Sequence, residues 1–265
     1  MGIGTISAVA VTLIAPVIFG IGSSISTPES SQCYKGKLYV SNIGGLPPDK
    51  KDGDGYILLA DLKGKVVKPK FITGLNAPKG ITFVKGKLFV ADIDTVVVAD
   101  AQTGKIERKI PIPDAKFLND IAFDGKKTVY VTDTQTNSIY AIDTESFKVS
   151  LFLRDYRLQG PNGIDVLPDG KLLVASWGGG KLLLVDGKEV KVLASGFENL
   201  DGVVALKDGT VLFSDFAAGR VYRLKDGKVR EVYKGFSPAD IGYCNGILFV
   251  PEFMMNSVKA VRLKK

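Results

Sequence analysis

The sequence predicts an all-β protein folded as a single six-bladed β-propeller with four-stranded blades. Three observations carry that expectation. The stretch LQGPNGIDVLPDGKLLVASW, Leu158 to Trp177, shares its layout with five other stretches: a polar approach, one variable residue, a short run rich in Ile, Val and Phe, a tight turn containing Gly, and a second apolar run. The turn glycines Gly36, Gly86, Gly125, Gly170, Gly209 and Gly246 space these units about forty residues apart, and a repeat of that length with two hairpins per unit is the mark of a propeller blade. Outside the first 25 residues no segment has a helical period.

Taken in order, residues 1–25 read as a signal peptide or an N-terminal membrane anchor, because Ile3 to Ile25 carry no charge and are mostly apolar. Small residues from Gly20 to Ser26 would allow cleavage between Gly22 and Ser26, although the usual basic n-region is missing. Export to the periplasm or the exterior follows from either reading, with membrane contact only through an uncleaved N-terminus. Residues 26–265 form the propeller. Its first unit has strands near Ser30 to Tyr34, Lys37 to Ser41, Gly55 to Asp61 and Val66 to Thr73. The longest connection, IGGLPPDKKDGDG (Ile43 to Gly55), lacks EF-hand ligand spacing and a closing Glu. It is expected to be a mobile loop able to cover one face of the ring.

The second unit gives GITFV, LFVAD, TVVVAD and IERKI, and the third gives LNDIAF, VYVTD, SIYAID and VSLFLR. In the fourth and fifth, Asp169-Gly170, Asp186-Gly187, Asp208-Gly209 and Asp226-Gly227 mark hairpins, since glycine supplies the positive φ of a tight turn. The last unit supplies only Asp240 to Cys244, Ile247 to Pro251 and Ser257 to Leu263, so its fourth strand must come from the N-terminus, near Ile21 to Pro28. Cleavage at Ser26 would remove most of that strand.

Composition narrows the chemistry. The chain of 265 residues contains no histidine. That excludes Ser-His-Asp and Cys-His mechanisms and His-ligated metals, and leaves oxygen chemistry from Asp, Glu and Asn. The two cysteines, Cys33 and Cys244, lie in the first strands of the first and last units, as a disulfide or as two small buried hydrophobes. The net charge of +7 comes from lysines in turns, with no arginine-rich helix or aromatic platform, and reads as a solvated surface rather than a nucleic-acid footprint. A monomer acting on a small-molecule substrate is expected.

In a propeller the first strand of each blade lines the central channel, so the six variable residues Glu29, Lys79, Asn119, Asn162, Asp201 and Ala239 converge on its mouth. Glu29 and Asp201 repel when buried together, and a hard divalent cation, calcium before magnesium, resolves this with Asn119 and Asn162 as further oxygen ligands. The competing account has these groups holding ordered water, with Asn162-Gly163 a turn pair. Lys79 would pair with Glu29 or Asp201, or orient an anionic substrate. The connections between second and third strands open on the same face, which makes Lys79, Phe117, Asn137, Trp177, Asp215, Phe216 and Phe253 the expected substrate lining.

On PESSQCYKGKLYVSN, FLNDIAF, PNGIDVLPDG and LDGVVALKDG the chain resembles the gluconolactonase, regucalcin and luciferin-regenerating-enzyme family of six-bladed propellers. The resemblance covers Glu29 to the C-terminus. DGDGYI, LNAPKGITF and ASWGGG are similar to an exported, poorly characterised branch. It implies Glu29, Asn119, Asn162 and Asp201 as metal ligands, with Asp201 also the catalytic base or nucleophile of a calcium-dependent lactone or ester hydrolase. Two departures stand out. Sugar lactonases of that family place Arg where this chain has Phe117, and paraoxonase-like relatives use histidines. The alternative is a non-catalytic propeller, similar to NHL-repeat proteins, whose metal is structural. An oxidoreductase finds no support, since Gly178 to Gly180 lack the helix a dinucleotide fingerprint needs.

Overall fold

A computed structural model describes residues 17–22 and 24–263 of the chain. Alternating apolar runs separated by tight turns form six four-stranded antiparallel sheets, arranged as the blades of a β-propeller. The chain opens with β1 (Val17–Ile21), which belongs to the last blade. Blade 1 is β2 (Pro28–Tyr34), β3 (Lys37–Asn42), β4 (Gly55–Asp61) and β5 (Val66–Leu75). Blade 2 is β6 (Pro78–Val84), β7 (Lys87–Asp92), β8 (Thr95–Asp100) and β9 (Ile106–Pro111). Blade 3 is β10 (Leu118–Phe123), β11 (Thr128–Asp133), β12 (Ser138–Asp143) and β13 (Val149–Arg154). Blade 4 is β14 (Pro161–Val166), β15 (Leu172–Ser176), β16 (Lys181–Asp186) and β17 (Glu189–Ser195). Blade 5 is β18 (Leu200–Ala205), β19 (Val211–Asp215), β20 (Arg220–Lys225) and β21 (Lys228–Lys234). Blade 6 is β22 (Gly242–Cys244), β23 (Ile247–Glu252) and β24 (Ser257–Arg262), completed by β1.

The N-terminus therefore closes the ring, but with an earlier strand than expected. β1 pairs with β24 from Val17 opposite Val261 to Ile21 opposite Val258. The expectation of Ile21 to Pro28 fails because residues 22–27 form a longer connection at the closure than Asn76 and Ala77 do between blades 1 and 2. That connection is tied to both neighbours: Ser26 N donates to Asn42 Oδ1 at 3.1 Å, and Thr27 N donates to Asn256 Oδ1 at 2.7 Å. The leader or anchor expected over residues 1–25 lies outside the described residues up to residue 16, and Val17–Ile21 is sheet. Among the described residues no helix is long and apolar enough to cross a membrane. Of the two cysteine readings the disulfide holds: Cys33 on β2 is bonded to Cys244 on β22 across 211 residues of sequence, joining blades 1 and 6.

The core lies between blades, where apolar faces of adjacent sheets pack. One such cluster runs from Phe89 and Val98 of blade 2 to Ile121 and Val131 of blade 3, all at most 3% exposed. The inner strands also share a defect that matters for the site. In blades 1 to 5 the register of the first strand slips just after its first residue, between Pro28/Ser31, Pro78/Ile81, Leu118/Ile121, Pro161/Ile164 and Leu200/Val203. Such bulges re-aim side chains. The residue released first is in each case the variable one: Glu29, Lys79, Asn119, Asn162 or Asp201.

Candidate functional site

Asn162-Gly163 is strand, not turn, and its glycine is there for packing. A Cβ on Gly163 would lie 2.2 Å from the Asp201 carbonyl oxygen, and one on Gly202 would lie 2.6 Å from Ile241 N. Glycine after the variable residue thus lets neighbouring inner strands approach closely enough for their side chains to share one channel.

Glu29, Asn119, Asn162 and Asp201 line a single cavity of about 350 Å³ at the mouth. They are 3–4% exposed, and one oxygen on each, Glu29 Oε2, Asn119 Oδ1, Asn162 Oδ1 and Asp201 Oδ1, is buried without a hydrogen-bond partner. Buried polar atoms are nearly always partnered, and stranding one costs about 1–3 kcal/mol, so four in one cavity mark a site for something that accepts oxygen ligands. The amide nitrogens are engaged elsewhere: Asn119 Nδ2 donates to Thr134 Oγ1 at 3.3 Å, and Asn162 Nδ2 to Asp201 Oδ2 at 3.4 Å. Burial pushes the Glu29 carboxyl well above its ordinary range, and Asp201 and Asp240 add to that. Burial, then Asp240, does the same to Asp201. Among the described residues no three His, Cys, Asp or Glu side chains cluster as a metal site, so a cation here needs the two amides. Two carboxylates and two neutral oxygens fit a hard divalent cation.

Lys79 makes neither expected ion pair. Its ammonium, 1% exposed, donates to Pro48 O at 2.9 Å and Ala77 O at 3.1 Å and lies 4.3 Å from the centre of the Phe117 ring. Burial lowers its pKa to about 8 against the opposing pull of Glu29. The lysine thereby fastens the long blade 1 connection over the mouth. That connection is further held by Gly45 N donating to Asp54 Oδ2 at 2.8 Å and by a Lys51–Asp94 ion pair. It covers the face as expected, but pinned rather than free.

Of the expected lining, Lys79, Phe117, Trp177, Phe216 and Phe253 face the cavity, joined by Ile43, Pro48 and Thr134. Asn137 and Asp215 do not. Asp215 accepts from Glu198 N at 2.9 Å and Asn199 N at 3.1 Å, and Asn137 Oδ1 accepts from Gly160 N at 2.7 Å. The reason is a recurring clamp. The last residue of the second strand in each blade is polar and ties down the connection that leads into the first strand: Asn42, Asp92, Asp133, Ser176, Asp215 and Glu252. The next residue points to the mouth: Ile43, Thr134, Trp177, Phe216 and Phe253 in five of the blades. That one-residue offset, visible once the repeats are aligned on the second strand, was the missed signal for Ile43 and Thr134.

The fold also sorts charge. The hairpin turns at the end away from the mouth hold eleven lysines against five carboxylates, whereas the connections on the mouth side hold four basic against eight acidic residues. The surplus lysines of the sequence thus lie on the far face, and the field at the mouth favours cations.

No family model matches the chain, and no curated protein matches it in sequence. Solved structures show the same fold. A catalytically inactive histidine-to-alanine variant of virginiamycin B lyase from Staphylococcus aureus, with quinupristin, matches at 17% identity and a TM-score of 0.66 over 93% of this chain and 98% of that one. A chain of the nidogen/laminin complex matches at 19% and 0.69 over 89% and 88%. A protein of unknown function from Bacteroides thetaiotaomicron matches at 14% and 0.70 over 91% and 70%. At such identities the likeness is one of architecture, and it places the chain among six-bladed β-propellers.

Proposed function

We propose that the protein is an exported, calcium-dependent hydrolase of a lactone or related ester. The observation that carries this reading is the set of four unpartnered buried oxygens facing one cavity. Glu29, Asn119, Asn162 and Asp201 would hold the cation, and calcium suits them better than magnesium because it tolerates irregular sets of neutral and charged oxygens. When bound, the cation supplies positive charge that offsets the two carboxylates and polarises a substrate carbonyl. Asp201 takes the proton of the attacking water. Its partner Asn162 Nδ2, 3.4 Å from Oδ2, fixes the carboxylate's orientation for that proton transfer. The lyase of S. aureus loses activity with a histidine, and this chain has none, so proton transfer falls to carboxylates. The disulfide, typical of oxidising compartments, supports export.

Asp201→Asn is expected to abolish turnover of lactones and aryl esters while weakening calcium binding less. Glu29→Gln, which keeps the base, is expected to lose cation affinity and to recover turnover at high calcium. Full activity of Asp201→Asn would overturn the role given to Asp201. The locked ammonium of Lys79 and the absence of an arginine at Phe117 favour a second reading, a propeller that binds a ligand or partner around a structural cation. Calcium binding with no turnover across lactones and aryl esters would establish it.

A further inference from the structure

Above the quartet the cavity wall changes character. Its upper part is built from Ile43, Pro48, Phe117, Trp177, Phe216 and Phe253. Three of the rings form a connected arc: Trp177 and Phe216 have centroids 5.4 Å apart, and Phe216 and Phe253 5.6 Å apart and near perpendicular at 71°. Their backbones are latched to the next connection, Trp177 N donating to Gly160 O at 2.8 Å, Phe216 N to Asn199 O at 2.9 Å and Phe253 N to Ser237 O at 3.0 Å. The arc is therefore set before any ligand arrives. The one cation of this wall, Lys79, donates to two carbonyls and lies over the face of the Phe117 ring.

We propose that the site takes a carbonyl compound carrying an aryl ring on the heteroatom of its acyl group, as an aryl ester or a benzo-fused lactone does, and that it discriminates against polyhydroxylated substrates. The carbonyl end lies toward the quartet and the ring lies within the aromatic arc. Hydroxyl groups placed along this wall would lose water and gain no partner, whereas an aryl ring replaces water with offset or edge contacts on rings already in position. The volume of about 350 Å³ is at the small end for ligand pockets and suits a molecule of one or two fused rings. The carbonyl end of this inference rests on the proposed hydrolase reading, and the aryl end on the wall alone.

Trp177 is the only tryptophan of the chain, so its fluorescence reports directly on the arc. Full-length protein in calcium is titrated with three hydrolysis-resistant lactams: 3,4-dihydroquinolin-2-one, 2-piperidone and D-gluconolactam. The fused aryl lactam is expected to change Trp177 emission saturably and to bind at least about tenfold tighter than 2-piperidone, with gluconolactam weakest. Phe216→Leu and Phe253→Leu, which keep bulk and remove a ring, are expected to cut the aryl preference several-fold. Equal or tighter binding of gluconolactam, or an aryl preference untouched by both substitutions, would overturn the proposal. Aryl binding without turnover of any aryl ester leaves the ligand class standing and removes the hydrolase reading. Turnover indifferent to the aryl group removes the class and leaves the hydrolase.

Discussion

The strongest consequence of two buried carboxylates in one channel is a pH-dependent loss of stability that the proposed cation would offset. Glu29 and Asp201 hold protons more tightly in the folded chain than exposed carboxylates do, chiefly through burial. A carboxyl whose folded pKa is raised contributes stability that is complete below its unfolded value, near 4, and is lost as pH rises toward the folded value. Metal-stripped protein is therefore expected to melt lower at pH 8 than at pH 5, each unit of difference between folded and unfolded values weighing about 1.4 kcal/mol. On the proposed reading, calcium at one hundred times its Kd would contribute about 2.7 kcal/mol, which in a domain of this size would raise Tm by about 5–11 °C. The rise is larger at pH 8, because protons compete for the same oxygens. In the Glu29→Gln/Asp201→Asn double variant the calcium shift disappears and the pH slope shrinks. The slope persists in part, since Asp120 and Asp240 are also buried, and Asp165 half-buried, with raised pKa values. Thermal melts followed by circular dichroism on chelator-treated protein measure all of this. A wild type whose Tm is flat from pH 5 to 8 and moves by less than about 1 °C with saturating calcium would refute the reasoning.

Three further outcomes test the scaffold. A chain starting at Gly22 is expected to melt below one starting at Val17, because it loses β1, uncovers the β24 edge and removes the burial of Ile21 at 2% exposure. Burial of Ile21 and the Phe19–Phe249 contact at 6.3 Å sets that loss at about 3 kcal/mol or more, or about 6 °C in Tm. Cys33→Ser/Cys244→Ser, which opens a loop of 211 residues, should cost about 2–5 kcal/mol in denaturant melts, and equal midpoints for the two chains would contradict a stabilising bridge. Gly163→Ala, whose methyl would meet the Asp201 carbonyl at 2.2 Å, should cost about 1–3 kcal/mol and weaken calcium binding in titration calorimetry. Unchanged affinity there would separate strand spacing from the site.

The blades were legible because period-2 patterning and glycine turns repeat in every unit, and the quartet because aligned repeats place one variable residue at the same point of each ring position. The closing strand was misplaced by the spacing of FITGLNAP. In blade 1 the first five residues of that segment end β5, which shifts register three times against β4, and only Asn76 and Ala77 connect it to β6, whereas the N-terminal counterpart ends at Ile21 and crosses to blade 1 by a longer connection. Asp215 and Asn137 flank connections between second and third strands, which open on the mouth, and that topology alone names them as lining. Topology cannot show that their oxygens are spent on backbone N–H groups. Charge alone offers Lys79 either a carboxylate partner or an anionic substrate, whereas the folded chain gives its ammonium the carbonyls of Pro48 and Ala77.

A ring of equivalent blades makes the same demand on the backbone six times, so a position that stays polar throughout serves that demand. Asn42, Asp92, Asp133, Ser176, Asp215 and Glu252 are such a set, and each clamps a connection. Function has to break the symmetry, and it does so at two positions. The inner one carries Glu29, Lys79, Asn119, Asn162, Asp201 and Ala239, and the outer one carries Ile43, Ile93, Thr134, Trp177, Phe216 and Phe253. The two asymmetries coincide. Asn162, Asp201 and Ala239 belong to the blades that bear Trp177, Phe216 and Phe253, while Glu29 shares blade 1 with the connection that Lys79 pins across the mouth. On the proposed reading a ligand in the aromatic arc would sit over blade 5, the middle of these three, whose inner residue is Asp201. Glu29 and Asp201 are both buried with their carboxyls pushed above the ordinary range, so it is the place of Asp201 in the middle blade of the arc that favours it over Glu29 as the base we propose.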